Sequence, residues 1–328
     1  MARILVTGGA GYIGSIVVHE LLLEGHKVIV VDDFSTGNKA AVPPGAFIVE
    51  AMYESPRMVP LLRELRPDTV IHLAARMSPT ESITQPMEYF RDNVSGTLNL
   101  LCAMREADVR RMIFASSACV YGDPERRIAD ETMTLKPINP YGETKLMVER
   151  ILEWYHQAYG LEYVAFRFFN VSGTVGELGP AKTFNNGLIP YILQVPLGQS
   201  EVVPVYGSDY ETLDGTCVRD YVHVKDIAEA VLLASEKMDI VSGVYNLGSG
   251  IGYSVSEVID WAIKVVGRHI PWDHQPRRPG DPPILVASTH KAWDKLGWVP
   301  NKSTIEAIIR DTWEWMQAHP DGYSMERM

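Results

Sequence analysis

The start of the chain joins a short apolar run to a helix through a turn that is rich in glycine. Ile4-Leu5-Val6 predicts a strand that is buried on both faces, and the apolar spacing from Tyr12 to Leu23 predicts a helix that ends before Gly25. The turn between them reads Thr7-Gly8-Gly9-Ala10-Gly11-Tyr12-Ile13-Gly14. Glycines in such a turn let the backbone bend tightly and let a phosphate group approach the helix N-terminus. The alternative is a turn that only packs the helix against the strand.

A second strand is predicted at residues 27–31, and it ends in Asp32-Asp33. An acid about 20 residues beyond such a turn accepts a hydrogen bond from a ribose 2′-hydroxyl and repels a 2′-phosphate. No arginine follows in Phe34-Ser35-Thr36 to compensate that repulsion. Strand, turn, helix and acid together therefore predict a site for NAD rather than NADP.

Strands and helices alternate over the first half of the chain. Further strands are predicted at residues 46–49, 69–75, 111–115 and 163–168, and helices at 57–65, 87–107 and 146–159. This order predicts an α/β fold with a Rossmann-like, doubly wound parallel sheet. We expect an NAD-binding domain over residues 1–171, to which one strand or helix of the second half can return. A smaller C-terminal α/β substrate domain is expected over residues 172–328, with helices at 226–237, 255–266 and 305–317 and a frayed end from residue 320.

Composition narrows the class of partner. The 328 residues carry a net charge of −11 without a block of like charges, which argues against nucleic acid and against anionic membrane surfaces. The three cysteines stand far apart and show no metal-ligand spacing, so we expect no metal site and a reducing, cytoplasmic location. We find no signal-peptide layout and no apolar run of membrane-spanning length.

A tyrosine and a lysine at helical spacing form the candidate acid/base pair. Asn139 is a good N-cap and Pro140 suits the first helical position, so Tyr141 and Lys145 should share one helix face. A neighbouring ammonium favours the phenolate, which predicts a lowered tyrosine pKa. Ser117 follows the strand at 111–115, where its hydroxyl can reach the same crevice. The alternatives are a surface tyrosine with a solvated lysine, and a serine that belongs to an ordinary turn.

These residues resemble known families. The glycine turn, Ser117 and the Tyr141–Lys145 spacing resemble the extended short-chain dehydrogenase/reductases. Residues 206–224, with the pattern G-x-D-Y-x-T-x-D-G-T-x-V-R-D-Y-x-H-V, resemble the UDP-glucose 4-epimerases. The resemblance also includes Arg167-Phe168-Phe169-Asn170, Arg278-Pro279-Gly280-Asp281 and Leu296-Gly297-Trp298, and it extends to about Trp315.

The resemblance implies a role for each matching position. Catalytic roles are implied for Ser117, Tyr141 and Lys145. NAD contacts are implied for Gly8, Gly11, Tyr12, Ile13, Gly14, Asp32, Asp33, Leu73, Ala74, Ala75, Arg76, Asn93, Tyr141, Lys145 and Phe169. Contacts with a UDP-sugar are implied for Ser117, Asn170, Leu188, Tyr206, Arg219, Arg278, Asp281 and Leu285. The two arginines offer planar, permanently charged forks for a diphosphate, and the alternative for them is a surface salt bridge.

The sequence departs from the family pattern at four places. Ala51-Met52 replaces a common Gly-Asp that contacts the adenine end of the cofactor, and Asp92 stands where asparagine is frequent beside Asn93. Cys119 replaces a common threonine two places after Ser117, and Gly187 replaces a polar residue before Leu188. None of these changes removes a catalytic group.

The implied reaction is inversion at C4 of UDP-glucose and UDP-galactose through a 4-keto intermediate, with the N-acetyl forms as further candidates. Epimerases of UDP-xylose or UDP-glucuronate remain alternatives. A UDP-sugar 4,6-dehydratase needs an acid/base pair beside the serine, where this chain has Ala118-Cys119. An inactive NAD-sensing scaffold protein is the alternative from another class.

The resemblance also implies a homodimer. Its four-helix interface would use the helix at 87–107 and the helix that carries Trp154 and Tyr155, and packing within one chain is the alternative.

Overall fold

The computed structural model describes residues 1–181, 187–238, 240–278 and 280–323. Within these ranges the strands are β1 (Arg3–Thr7), β2 (Lys27–Asp32), β3 (Phe47–Glu50), β4 (Thr69–His72), β5 (Arg111–Ser117), β6 (Ile128–Ala129), β7 (Glu162–Phe168), β8 (Asn170–Ser172), β9 (Val203–Tyr206), β10 (Val218–His223), β11 (Gly243–Leu247), β12 (Gly252–Ser254), β13 (Trp272–Gln275) and β14 (Ile284–Ala287).

The helices of the same ranges are α1 (Tyr12–Leu23), α2 (Met58–Leu65), α3 (Pro79–Thr84), α4 (Pro86–Tyr89), α5 (Thr97–Glu106), α6 (Pro140–Tyr159), α7 (Leu188–Gln194), α8 (Val224–Lys237), α9 (Val255–Val266), α10 (His290–Leu296) and α11 (Ile305–Ala318). A π-helical segment, Phe90–Gly96, lies between α4 and α5. Across the described residues, no helix is long and apolar enough to span a membrane.

The largest sheet has the order β11-β7-β5-β4-β1-β2-β3, and every pairing between its strands is parallel. One hydrophobic cluster covers each face of this sheet, which is why strands such as β1 consist of continuous apolar residues. The predicted α/β fold with a Rossmann-like parallel sheet is confirmed. Since β11 comes from the second half of the chain, that half contributes an edge strand to the sheet. The domain boundary at residue 171 stays a prediction.

A second, mixed sheet lies directly beyond the carboxyl end of β7. Its described strands run β12-β10-β14-β6, and β8 also pairs with β10. Only Phe169 separates β7 from β8, so the chain passes from the large sheet into the small one within a single residue. A separate apolar cluster between α7, α9 and α11 supports this second region. The carboxyl edge of the large sheet therefore faces the strands that carry Arg219 and Leu285.

Two predicted elements differ from the structure. The predicted helix over residues 87–107 is wrong as one continuous helix, because the π-helical segment Phe90–Gly96 separates α4 from α5. A π turn adds one residue per turn while the apolar spacing stays nearly helical, so periodicity does not reveal it. The strand predicted over residues 69–75 ends at His72. The Leu73 N–H still donates to the carbonyl of Thr7 at the end of β1, but the Ala74 N–H donates to the Thr7 hydroxyl, so the regular ladder stops there. Part of the end expected to fray, residues 324–328, lies outside the described residues.

The glycine turn is closed by contacts that leave no room for a side chain at its last position. A Cβ atom added at Gly14 would lie 2.0 Å from the carbonyl oxygen of Gly8. Gly8 itself has a φ of +69°, which favours glycine. At Gly11, by contrast, an added Cβ would meet only that same oxygen, at 3.2 Å. Gly14 thus serves the fold, whereas a methyl group at Gly11 would need only a small shift of the turn.

Gly14→Ala is expected to lower the free energy of unfolding by about 1–3 kcal/mol, because the turn must shift to admit the methyl group. Gly11→Ala is the matched control, and it should lose clearly less. Urea denaturation followed by circular dichroism measures both values. Equal losses in the two variants would contradict the tight closure at Gly14.

Candidate active site

Three side chains meet where β5 ends against α6. Ser117 is the last residue of β5, and Tyr141 and Lys145 lie in the first two turns of α6. As predicted, Asn139 caps this helix by accepting a hydrogen bond from the Gly142 N–H at 2.8 Å. The Lys145 ammonium nitrogen lies 5.7 Å from the centre of the Tyr141 ring. The helix start therefore fixes where both groups stand relative to the strand.

Burial dominates the electrostatics of this group. It lowers the pKa of Lys145 to about 7, although Cys119 and Glu149 act in the opposite direction. Burial also raises the pKa of Tyr141, an effect that the Ser117 hydroxyl opposes. The expected lowering of the tyrosine pKa is therefore wrong, because burial has the larger effect. The sequence shows the spacing of the two groups but not the desolvation that accompanies it.

A neutral histidine lies behind the lysine. His72 is buried, and its ring nitrogens bond to the hydroxyls of Thr7 and Thr97 at 2.7 and 2.9 Å. Burial, with the charge of Lys145 as a smaller cause, lowers the pKa of His72 to about 3. The ring is therefore uncharged at neutral pH and acts as a packed hydrogen-bonding link between β1 and α5.

The glycine turn offers a cradle that fits a dinucleotide. Gly11 is the N-cap of α1 and makes no side-chain cap, and the N-terminus of a helix favours an anion. Asp32 accepts hydrogen bonds from the N–H groups of Ala10 and Phe34, both at 2.9 Å, and so ties β2 to this turn. Burial raises the pKa of Asp32. Asp33 is exposed and accepts a hydrogen bond from the Ser35 hydroxyl at 2.7 Å.

Leu73, Ala74, Ala75 and Arg76 form the loop beyond β4, which the π-helical segment holds in place. The Asn93 amide accepts from the backbone N–H of Arg76 at 2.8 Å and donates to its carbonyl at 3.0 Å and to the Thr144 hydroxyl at 3.1 Å. Asp92 forms an ion pair with the Arg76 guanidinium at 2.6 Å, which gives the acid at this position a partner. Asn93 therefore shapes the loop and links it to α6, and its direct contact with a cofactor stays a prediction.

Three other predicted cofactor residues face inward. The Tyr12 hydroxyl donates to the carbonyl of Gly173 at 2.5 Å and joins α1 to the loop after β8. Ile13 packs against the core. Phe169 is buried in a cluster that also contains Ala118 and Leu285. These three residues support the walls of the crevice.

Three of the predicted substrate residues lie on the second sheet, and most of the others lie on elements beside it. Arg219 on β10 donates to Asp281 at 3.1 Å, and its partner in register on β14 is Leu285. The Arg278 guanidinium stacks on the Tyr206 ring, 3.8 Å from its centre. The Asn170 amide donates to the carbonyl of Asp220 at 3.0 Å, and Leu188 is the first residue of α7. Pro279, part of the same motif, lies outside the described residues.

Cys119 stands between the two sets of residues. Burial raises the pKa of its thiol, while Arg219 and Lys145 lower it and Asp281 raises it further. The thiol therefore stays protonated at neutral pH, yet it feels charges from α6 and from the second sheet. Within the described residues, no cluster of His, Cys, Asp and Glu side chains could hold a metal ion.

A buried polar group around Glu149 lies next to this site, and no sequence motif predicted it. Glu149, on α6, bonds both Ser116 and Arg167, and all three are buried. Its spacing of four residues after Lys145 was a signal for the same helix face. Nothing in the sequence shows that Arg167, 18 positions away, is the partner.

Comparison with known proteins identifies the family. Residues 4–248 match the family described as the NAD dependent epimerase/dehydratase family. A protein named UDP-glucose 4-epimerase from Halalkalibacterium halodurans is 45% identical over 98% of this chain and 98% of its own length.

Solved structures agree with that relative. A UDP-glucose-4-epimerase from Stenotrophomonas maltophila with bound NAD and formylated UDP-arabinopyranose is 37% identical, with a TM-score of 0.93 over 98% of this chain and 99% of that chain. A UDP-glucose 4-epimerase from Bifidobacterium longum in complex with NAD⁺ and UDP is 36% identical, with a TM-score of 0.92 over 98% of this chain and 100% of that chain. With its strand-end serine, its Tyr141–Lys145 pair and its glycine cradle in the same fold, the chain belongs to the NAD dependent epimerase/dehydratase family, as the UDP-glucose 4-epimerases among its relatives indicate.

Proposed function

We propose that this enzyme is an NAD-dependent 4-epimerase that interconverts UDP-glucose and UDP-galactose through a 4-keto intermediate. The observation that carries the proposal is the packing that joins the two sides of the site. Ala118 and Leu146, which are the neighbours of Ser117 and Lys145 in the chain, pack with Leu285, whose partner in register is Arg219 of the Arg219–Asp281 pair. One side offers groups that move a proton, and the other offers a cation for a diphosphate. Relatives named UDP-glucose 4-epimerase support this assignment over the full chain.

The cofactor follows from the cradle and the family. Gly11 at the start of α1 would face the diphosphate, and the carboxylates at the end of β2 would face the adenosine ribose. NAD, when bound, supplies a hydride acceptor and a positive charge. Ala51 and Met52 provide no carboxylate near β3, so adenine recognition there depends on backbone groups.

The proton chemistry belongs to Tyr141. As a phenolate it removes the proton of the C4 hydroxyl, and as a phenol it returns the proton after the hexose has turned. Because burial raises its pKa, the phenolate needs a positive charge nearby, and the Lys145 ammonium is the protein's own source. Ser117 provides a hydroxyl on the same side of the site. Arg219 and Arg278 would hold the diphosphate while the sugar turns.

The structure gives no support to the dehydratase alternative. That reaction needs an acid/base pair next to the strand-end serine, and Ala118 and Cys119 stand there with the thiol kept protonated. Epimerases of UDP-xylose or UDP-glucuronate and an inactive scaffold protein predict different outcomes in the assay below.

Tyr141→Phe should lose nearly all turnover while it keeps nucleotide binding, because the ring still packs and only the proton relay is lost. Product analysis with UDP-glucose, UDP-galactose, UDP-xylose and UDP-glucuronate measures turnover, and calorimetry with UDP measures binding. Full activity in Tyr141→Phe would contradict the assigned mechanism. An absence of turnover in the wild type would instead favour the scaffold protein.

We also propose that Leu285 limits the size of the group at C2 of the sugar. Its side chain is 8% exposed and packs among Ala118, Leu146 and Phe169, directly behind the end of β5. A leucine leaves more room than a tyrosine would, so UDP-N-acetylglucosamine should be turned over weakly.

Leu285→Tyr should abolish turnover of the N-acetyl sugar and spare UDP-glucose, because the larger ring would fill the space near C2. Leu285→Met, which nearly conserves volume, is the control and should keep both activities. The measurement is the ratio of kcat/KM for UDP-N-acetylglucosamine to kcat/KM for UDP-glucose, in the wild type and in both variants. If both activities fall together in Leu285→Tyr, this side chain is part of the core and does not select substrate.

A homodimer through α5 and α6 completes the proposal. The two helices lie side by side, since the Cys102 thiol is 3.6 Å from the Tyr155 hydroxyl and the Arg105 guanidinium lies over the Tyr159 ring at 4.9 Å. Their outer faces expose Trp154 at 68%, with Tyr159 and Leu98 also exposed.

Three free cysteines support the cytoplasmic location expected from the sequence.

Trp154→Glu should convert the dimer to a monomer, because a charge would replace the large apolar group at the centre of this face. Trp293→Glu is the control, since Trp293 is 58% exposed on α10, away from α5 and α6. Light scattering after size exclusion gives the mass of each variant. A wild-type monomer, or an unchanged dimer in Trp154→Glu, would contradict this interface.

A further inference from the structure

Helix α6 carries a buried carboxylate on the same face as Tyr141 and Lys145. Glu149 stands four residues after Lys145, and its side chain is only 5% exposed. One carboxylate oxygen accepts the Ser116 hydroxyl at 2.5 Å and the Arg167 Nε at 3.0 Å, and the other accepts Arg167 Nη2 at 2.7 Å. The carboxylate is therefore fixed by two strands of the large sheet.

The partner of Glu149 is held from its other side as well. Arg167, whose side chain is 4% exposed, donates through Nη1 to the Tyr121 hydroxyl at 2.9 Å. That hydroxyl donates to the Asn246 amide at 2.8 Å, and Asn246 donates in turn to the carbonyl of Ala129 at 2.9 Å. The network thus connects α6, β5, β7, β11 and β6 through side chains that are all buried.

A contribution to stability alone does not explain why the Glu149–Arg167 ion pair is buried. Replacing a buried ion pair by apolar residues of similar volume is often neutral or stabilising, because desolvation offsets most of the Coulomb attraction. The position of the contacts suggests another reason. Lys145 donates to the carbonyl of Ala115 at 2.7 Å and Glu149 accepts from Ser116, so α6 holds the two residues that precede Ser117.

We propose that Glu149 is a positioning residue for this site: through the Ser116 hydroxyl it fixes Ser117 relative to Tyr141. Its charge in addition favours the ammonium form of Lys145. This proposal rests on the proposed epimerase function. Arg167 holds the carboxylate in this orientation through two hydrogen bonds. The substrate itself never touches Glu149.

The groups around Lys145 determine how strongly the Glu149 carboxylate affects its protonation. Tyr141 and Glu149 face the ammonium from its own helix, Cys119 from the turn after β5, and His72 from β4. His72 is neutral, the thiol and phenol are protonated, and Phe114 presents only its ring, 4.9 Å away. Glu149 is thus the acidic side chain among the groups named here, and the Arg167 guanidinium on β7 is its paired cation.

The first test isolates the Ser116 hydroxyl. Ser116→Thr and Ser116→Val introduce side chains of nearly the same shape and volume, both larger than serine. Only the threonine can donate a hydrogen bond to Glu149. We expect kcat for UDP-galactose to be about tenfold lower in the valine variant than in the threonine variant, with similar KM, because a shift in position affects chemistry more than binding. Equal kcat values in the two variants overturn the proposal.

The second test reads the charge without an activity assay. The ammonium of Lys145 is titrated by NMR of ¹³C-labelled lysine, with Lys145→Met to identify its signal. In the double variant Glu149→Gln/Arg167→Gln the pKa of Lys145 should fall by about one unit. Glu149 acts on Lys145 from the same helix, so its loss should outweigh the loss of the Arg167 cation that is removed with it. Glu20→Gln, which breaks the Glu20–Lys225 pair between α1 and α8, is the control and should leave the titration unchanged.

An unchanged Lys145 titration in the double variant also overturns the proposal. Should that variant fail to fold, the two Ser116 variants decide alone, since they leave the ion pair intact. A wild type that turns over no UDP-sugar would refute the proposed function, whereas the titration would still report on Glu149.

Discussion

The hydrogen bond from the buried ammonium of Lys145 to the carbonyl of Ala115 joins helix α6 to the carboxyl end of β5. At 2.7 Å it fixes the distance between the face that carries Tyr141 and the strand that ends in Ser117. Burying an ammonium costs several kcal/mol even in a relaxed protein interior. An apolar side chain would fill this place at lower cost, so the charge is explained by what it does in the crevice.

Desolvation determines the protonation states of Tyr141 and Lys145. Burial disfavours the phenolate of Tyr141 and the ammonium of Lys145 alike, so each group alone tends toward its neutral form. Opposite charges in a dry site stabilise one another more strongly than they would in water. The two charged forms therefore support each other, and surrounding groups such as Glu149 shift the balance. Geometry that brings both groups to the end of β5 is thus inseparable from their reactivity.

Local signals predicted local structure well. The apolar spacing and Gly25 placed α1 at the residues where the structure has it, and the Asn139-Pro140 pair placed the start of α6. The regular alternation of strands and helices predicted the parallel sheet, whose right-handed crossovers follow from chain chirality. Family motifs pointed to Arg219, Asp281 and Leu285, which the second sheet brings together.

What the sequence did not show depends on long-range contacts. The π-helical segment keeps an apolar spacing close to that of a helix, so its extra residue is visible only when Asn93 meets Arg76 and Thr144. The direction of the Tyr141 pKa depends on burial, which no spacing reveals. The Glu149–Arg167 pair joins a helix to a strand formed later in the chain, and only the assembled sheet makes them neighbours.

The proposed reaction oxidises C4 of the sugar and reduces it again within one site. UDP-galactose labelled with deuterium at C4 can be converted in ordinary water and the product analysed by NMR. The resulting UDP-glucose should keep the deuterium at C4, because the hydride leaves and returns without exchange with solvent. Product that has lost the deuterium to water would contradict it.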